Sequence, residues 1–300
     1  MATQDQIDEG AINICSTFEK GEPFFIGRNG STEMSVYAYW INNRGSGWPW
    51  PTQLIQLLGT AGVWPITTPS ADKWCREYQS ALSKLCGLAA GWYKPYADVE
   101  LRFINESIPS AFKTPLRSLE PYYVAPELRW TAHLADKDVA VVSSFTKTIQ
   151  AQLDRVDPLS IWSALEAPET LLPPTTRWHL VKTYFPPNVS EGHETAWATV
   201  GIHSWDTAID YIVAEVLKTG AKIAIVGCGG LGVIVGGKLR SKGISVILMG
   251  GAVQVLFGIR GKRWEKHDII SKFWNDSWIY PLESERPPNA GNIEGACYWG

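Results

Sequence analysis

Residues 222–264, KIAIVGCGGLGVIVGGKLRSKGISVILMGGAVQVLFGIRGKRW, decide the fold. Residues 223–226 and 244–249 are short apolar runs, rich in β-branched side chains and without alternation, as in strands covered on both faces of a parallel sheet. Between them Gly227, Gly229 and Gly232 leave the first strand and open a helix that runs through Arg240. The stretch therefore reads as a β-α-β unit inside an α/β protein.

Glycines in such a turn let backbone N–H groups approach an anion, and the N-terminus of the following helix adds favourable partial charge. A diphosphate suits this turn, with Gly227, Gly229, Gly230 and Gly232 on one strand tip and Gly250 and Gly251 on the next. The G-x-G-x-x-G spacing also suits a dinucleotide such as NAD, or S-adenosylmethionine. A dinucleotide site, however, places an acidic residue about 20 residues on to hold a ribose hydroxyl. Here the second strand ends Leu248-Met249-Gly250-Gly251, and the next carboxylate is Glu265. Tight helix–sheet packing is a third use for the same glycines.

Composition narrows the classes further. Three hundred residues with 45% hydrophobic content give ample core for one large α/β domain or two small ones. A net charge of −3 gives no global attraction to nucleic acid, so any phosphate binding is local. The polar, acidic start and the lack of a long apolar run predict an intracellular, cytoplasmic protein without a membrane span. Five scattered cysteines without C-x-x-C spacing predict reduced thiols, and most of the 15 tryptophans are expected in the core.

Elsewhere the same strand–turn–helix grammar recurs. Residues 7–20 read as a helix, PFFIG as a strand, and RNGSTEMSVYAYWIN as a turn at Asn29-Gly30 leading into a helix. Arg28 and Glu33 thus sit at a strand-to-helix junction, either as ligand contacts or as a pair that pins the turn. Residues 52–58 and 70–88 read as helices, the second capped by Ser70, residues 88–94 as the approach to a further strand, with short elements at 98–105 and 107–112. The run DVAVVSSF is a buried strand whose tip hydroxyls, Ser143 and Ser144, bond a phosphate or cap the next helix. Residues 179–185 predict another strand and 205–219 a helix. Asp206, at the start of that helix, is either a base or a first-turn charge favourable to the helix dipole. Arg260, Lys262 and Arg263 follow the Gly250-Gly251 tip, as a cationic clamp or as a solvated loop. The aromatic segment from Trp274 onward is too apolar to stay solvated and is expected to fold back over the domain.

Several blocks together resemble the glycosyltransferases of the GT-D fold and their viral and bacterial relatives. They are FFIGRNGSTE, VAVVSSFTKTIQAQL, IAIVGCGGLGVIVGGKLRSKG, GGAVQVLFGIRGKRWE, WIYPLESERP and EGACYW, spread over most of the chain. The resemblance implies a single Rossmann-like domain over residues 1–300, an open, mostly parallel sheet with helices on both faces. It also implies transfer of a sugar from a nucleotide-diphosphate donor, UDP-sugars first, to a glycan acceptor. In that family an R-x-G-x-x-E stretch carries an Asp-x-Glu element associated with donor and metal. Arg28, Gly30 and Glu33 match it, while Ser31 stands where the Asp would be. One carboxylate binds a divalent cation, manganese or magnesium, less well than two. On this reading Arg28, Asn29, Gly30 and the glycine tips hold the donor, and Arg260, Lys262 and Arg263 stabilise the leaving diphosphate. Glu33 contacts donor or metal, and the general base is Glu33, Asp206 or His203.

Overall fold

The computed structural model describes residues 2–43, 51–90, 108, 110–155 and 157–300. Its centre is a sheet of seven strands: β1 Phe25–Arg28, β2 Gly87–Ala90, β3 Phe112–Pro115, β4 Asp138–Ser143, β5 Arg177–Lys182, β6 Ile223–Val226 and β7 Ser245–Leu248. The order is β3-β2-β1-β7-β6-β4-β5, and every pairing is parallel. This is an open, Rossmann-like α/β sheet flanked by helices. The central strands are only four to six residues long, yet nearly all their side chains are buried.

Alternation along each strand divides those side chains between two cores. Phe25, Ala140, Val142, Ala224, Val226, Val246 and Leu248 face one side. There they meet helices α4 (Thr68–Leu82), α6 (Trp205–Lys218) and α7 (Gly232–Ser241). Ile26, Val139, Val141, Ile223, Ile225 and Ile247 face the other side. That side is covered by α1 (Gln4–Glu19), α5 (Thr146–Leu153) and α8 (Ala252–Leu256). Between β1 and α4 lie α2 (Ser31–Asn43) and α3 (Pro51–Gly59). Six tryptophans, 74, 130, 162, 197, 205 and 299, are among the largest fully buried side chains, so much of the aromatic excess is core.

Local chemistry fixes the ends of these elements. Helix α1 starts with a capping box: Gln6 N–H donates to Thr3 Oγ1 and Thr3 N–H donates to Gln6 Oε1. The helix expected over 70–88 instead spans Thr68–Leu82, capped by Thr67, whose Oγ1 accepts from Ser70 N–H at 3.3 Å. Its expected last turn is strand β2, with Leu88 opposite Gly27. Four apolar residues are too few for periodicity to separate a strand from the end of a helix. The element expected at 98–105 lies outside the described residues.

Glycine lets α7 sit unusually close to its neighbours. A Cβ on Gly236 would lie 2.5 Å from the Phe25 ring, and one on Gly237 would lie 2.8 Å from the Ala81 Cβ of α4. Helix α5 is capped from far along the chain. The fully buried carboxylate of Glu285 accepts from Lys147 N–H (2.7 Å), Thr148 N–H (3.0 Å) and Thr148 Oγ1 (2.5 Å). Three donors around one buried anion at a positive helix end offset its desolvation.

Two substitutions test these contacts. Gly237→Leu is expected to cost about 2–3 kcal/mol through overpacking against α4. Glu285→Ala should cost about 2–4 kcal/mol, since it leaves buried helix N–H groups unpaired. Urea denaturation of each variant against the parent measures both; a loss below about 0.5 kcal/mol for either would contradict the packing described.

Candidate functional site

The chain leaves β1 and β6 toward the α4/α7 face but leaves β4 and β7 toward the α5/α8 face. Neighbouring strands β1/β7 and β6/β4 therefore part at their carboxyl ends, the place where open α/β sheets form ligand crevices. A cavity of about 260 Å³ lies there, lined from the tips of β1, β4, β6 and β7, residues 58–62, residues 183–186 and the segment 293–298.

The glycine turn after β6 forms one wall. Gly227 N–H continues the sheet to Val142 O at 2.9 Å, while Gly229 and Gly250 take left-handed φ values of +56° and +61°. A Cβ on Gly227 would lie 2.6 Å from Gly250 O, so the two tips touch through backbone. Gly230 is held from two sides: its N–H donates to Ala61 O at 2.8 Å, and its carbonyl accepts from Trp74 Nε1 at 3.0 Å. Gly232 serves packing, with its Cβ position 2.7 Å from Leu248 Cδ1. Gly227, Gly229, Gly250 and Gly251 line the cavity; Gly230 and Gly232 are not among the lining residues. Among the described residues the N–H groups of Cys228 and Gly229 make no backbone hydrogen bond. Cys228 also lines the cavity, but burial pushes its thiol up to about 12, so it stays protonated.

The β1 tip supplies Arg28, Gly30, Ser31 and Glu33 to the opposite wall. Glu33 folds back over Gly30 so tightly that a Cβ there would lie within 2.0 Å of its Oε2. Burial raises the Glu33 pKa; its own backbone N–H and Arg28 pull it back, and Glu294 pushes it up again, leaving a net rise. A carboxyl raised in this way, inside a cavity, is a candidate for proton transfer. Asn29 is buried behind the turn, its Oδ1 accepting from the Tyr78 hydroxyl at 2.9 Å, and is not among the lining residues.

At the β4 tip, Ser143 Oγ accepts from Phe145 N–H at 3.1 Å, and Ser144 Oγ lies 2.8 Å from Thr183 Oγ1. Both serines line the cavity. The helix N-terminus beside them is already filled by Glu285, which leaves hydroxyls rather than helix N–H groups for a ligand.

The three-cation cluster separates in space. Arg263 lines the cavity, its side chain 35% exposed, with Nη1 donating to the Tyr298 hydroxyl at 3.0 Å and Nη2 3.3 Å from Glu294 Oε2. Its guanidinium also lies over the Trp264 and Tyr298 rings. Arg260 turns away, Nη2 donating to Asn275 O at 2.7 Å with the guanidinium over the Trp274 ring. Lys262 is exposed, and like Arg260 it is not among the lining residues. Asp206 is also placed elsewhere. Its Oδ2 pairs with Lys73 Nζ at 2.5 Å, tying α6 to α4. Despite burial, hydrogen bonds from Lys73, Ser204 and Thr207 N–H and the Lys73 charge lower its pKa to about 2. Neither Asp206 nor His203 lines the cavity.

Sequence reasoning missed Thr183, Tyr184, Trp197, Glu294 and Tyr298, all of which line it. The apolar, aromatic character of the C-terminal segment and, for Glu294 and Tyr298, the block EGACYW were the signals, and the segment does fold back. Gln254, itself buried in α8, anchors it by donating from Nε2 to Tyr298 O and to Arg260 O, both at 2.8 Å. For a metal the donor set is thin: among the described residues no three His, Cys, Asp or Glu side chains gather. No helix among them is long and apolar enough to cross a membrane.

Behind the site Glu120 is only 7% exposed. Burial raises its pKa to about 7, against the opposing pull of Arg28, Tyr122, Arg117 and Arg263. A raised folded pKa gives stability that is full below the ordinary value of 4.5 and is lost as pH climbs through about 7. Glu120→Gln should remove a dependence of at most about 3 kcal/mol. The variant would then gain on the parent between pH 5 and pH 8, as read by urea denaturation; equal differences at both pH values would show that Glu120 does not titrate in this window. Comparison with protein-family models, with curated proteins and with solved structures finds no match for this chain.

Proposed function

We propose that the protein is a glycosyltransferase that takes a sugar from a nucleoside-diphosphate donor, UDP-sugars first, and passes it to a hydroxyl of a glycan acceptor. One observation carries the reading: two arginines, Arg28 at the tip of β1 and Arg263 in the turn 262–264 that follows α8, line one glycine-tipped cavity beside a carboxyl whose ionisation burial disfavours. Cations on two walls suit a ligand whose charge is spread over two phosphates. The acidic residue that a dinucleotide's ribose would want at the β7 tip is replaced by Gly250 and Gly251, against which Arg28 and Arg263 lie.

In the reaction the acceptor oxygen attacks the anomeric carbon and the bond from that carbon to the phosphate oxygen breaks. The electron pair leaves with the diphosphate, whose growing charge Arg28 and Arg263 stabilise. Ionised Glu33 takes the acceptor's proton. A divalent cation arriving with the donor would find Glu33 as its nearest carboxylate from the β1 turn. Among the described residues no three His, Cys, Asp or Glu side chains gather to hold a metal. Ser144 and Thr183 offer hydroxyls to the sugar or ribose.

A thermal-shift panel of UDP, GDP, CMP, their sugar conjugates, NAD and S-adenosylmethionine, each with and without manganese, tests the donor class by mass action. A rise with a nucleoside diphosphate is expected; a rise with NAD or S-adenosylmethionine alone would replace the reading by a cofactor-dependent enzyme. Arg263→Ala should weaken the nucleoside diphosphate about 10- to 100-fold. Glu33→Gln should keep binding and lower turnover by about 10²–10⁴. Binding without turnover in the parent protein would indicate a sugar-nucleotide-binding module instead.

A further inference from the structure

The Tyr298 hydroxyl has one partner and a hydrogen to spare. Arg263 Nη1 donates to its oxygen at 3.0 Å, so the phenol's own hydrogen must point elsewhere. Among the described residues no protein group accepts it; Glu294 Oε2 instead takes Cys297 Sγ at 3.2 Å and lies 3.3 Å from Arg263 Nη2. The ring itself is fixed. It packs edge-on against Trp264 and Trp299, at 6.3 and 6.1 Å between centroids, and lies 6.4 Å from Phe145, while Gln254 Nε2 holds its backbone carbonyl at 2.8 Å. Gly251 completes the seat: a Cβ there would lie 3.0 Å from Tyr298 Cε1 and 3.5 Å from its hydroxyl. With no side chain at 251, the half-buried tyrosine stands over bare backbone at the β7 tip, as part of the cavity wall. Burial pushes its pKa up to about 12 against the pull of Arg263, so the hydroxyl stays protonated at neutral pH.

We propose that the Tyr298 hydroxyl is a binding residue of this cavity, a neutral hydrogen-bond donor to an anionic oxygen of the ligand that lies beside the Arg263 guanidinium. The proposal rests on the reading of the cavity as a diphosphate site. A bond accepted from a guanidinium draws charge from the phenol oxygen and makes its own hydrogen a better donor. Arg263 thus acts on the ligand twice, through its charge and through the hydroxyl that it polarises. No proton changes hands, because a phenol held this far from ionisation is a much weaker acid than a diphosphate. The hydroxyl works instead as a fixed dipole, whose bond strengthens as charge builds on the leaving group. Its orientation is set before the ligand arrives, since the bond from Arg263 and the packed ring leave it little freedom to lose.

The test is calorimetric titration of pyrophosphate into the intact protein, into Tyr298→Phe and Arg263→Ala, and into a protein whose Tyr298 is fluorinated beside its hydroxyl. Phenylalanine keeps the ring among Trp264, Trp299 and Phe145. Fluorination keeps the hydroxyl as well and makes it more acidic, so a folding defect cannot produce opposite effects in the two. Tyr298→Phe is expected to bind pyrophosphate about tenfold more weakly, and the fluorinated protein about twofold more tightly. Undiminished binding by Tyr298→Phe would overturn the donor role. So would a loss in Tyr298→Phe without a gain on fluorination, because a more acidic phenol is a poorer acceptor, and the hydroxyl would then only hold Arg263 in place. In both of those cases a loss in Arg263→Ala leaves the diphosphate site standing. No pyrophosphate binding by the parent, or equal binding by Arg263→Ala and the parent, would overturn the site and the role together.

Discussion

The peptide of Gly230 is where the structure is pinned. Its N–H is bonded to Ala61 and its carbonyl to the Trp74 indole, so the turn after β6 is held by the loop after α3 and by a side chain of α4. Those bonds form only if α7 lies close against α4, which Gly236 and Gly237 permit by leaving no Cβ where Phe25 and Ala81 already are. A few missing methyl groups therefore set the depth of the helix layer, and that depth sets where Gly227 and Gly229 stand at the cavity. Close packing of this kind transmits position because interiors do not yield to small displacements.

Electrostatics at the carboxyl edge follow from the same geometry. Strand tips that diverge toward opposite faces leave a gap, and the side chains entering it are partly shielded from solvent. Shielding strengthens the pull of Arg28 and Arg263 on any anion while disfavouring ionisation of Glu33 and Glu120. The outcome is a cavity with fixed positive charge and adjustable negative charge. Helix α5 adds nothing to that field for a ligand, because Glu285 has already neutralised its N-terminus.

Much of this architecture was legible in the sequence, and the limits were physical ones. The unalternating strands, the glycine turn and the helix after it read correctly because burial on both faces and tight turns leave strong local marks. So did the tips of β1 and β4. Strand order left no such mark: that β1 lies beside β7 depends on contacts between residues more than 200 apart. Local sequence also placed Arg260 and Arg263 together, although a turn of three residues sends one to Asn275 and the other to the cavity. Whether Asp206 faced a ligand or a helix dipole depended on Lys73, 133 residues away. Glu294 opens the block EGACYW, but nothing local in that block aims it at the cavity: its place comes from the buried anchors Ala290 and Cys297.

The cap on α5 bears on how the chain is made. Strand β4 and its helix leave the ribosome well before Glu285, which lies 137 residues beyond Thr148. During that interval the helix start has its N–H groups open to water and β4 still lacks β6 as a neighbour. Closing so long a loop is slow relative to local helix formation. The β4 side of the cavity is thus completed late in synthesis, when the segment that carries Glu285, and soon after it Glu294, docks onto a sheet assembled largely before it.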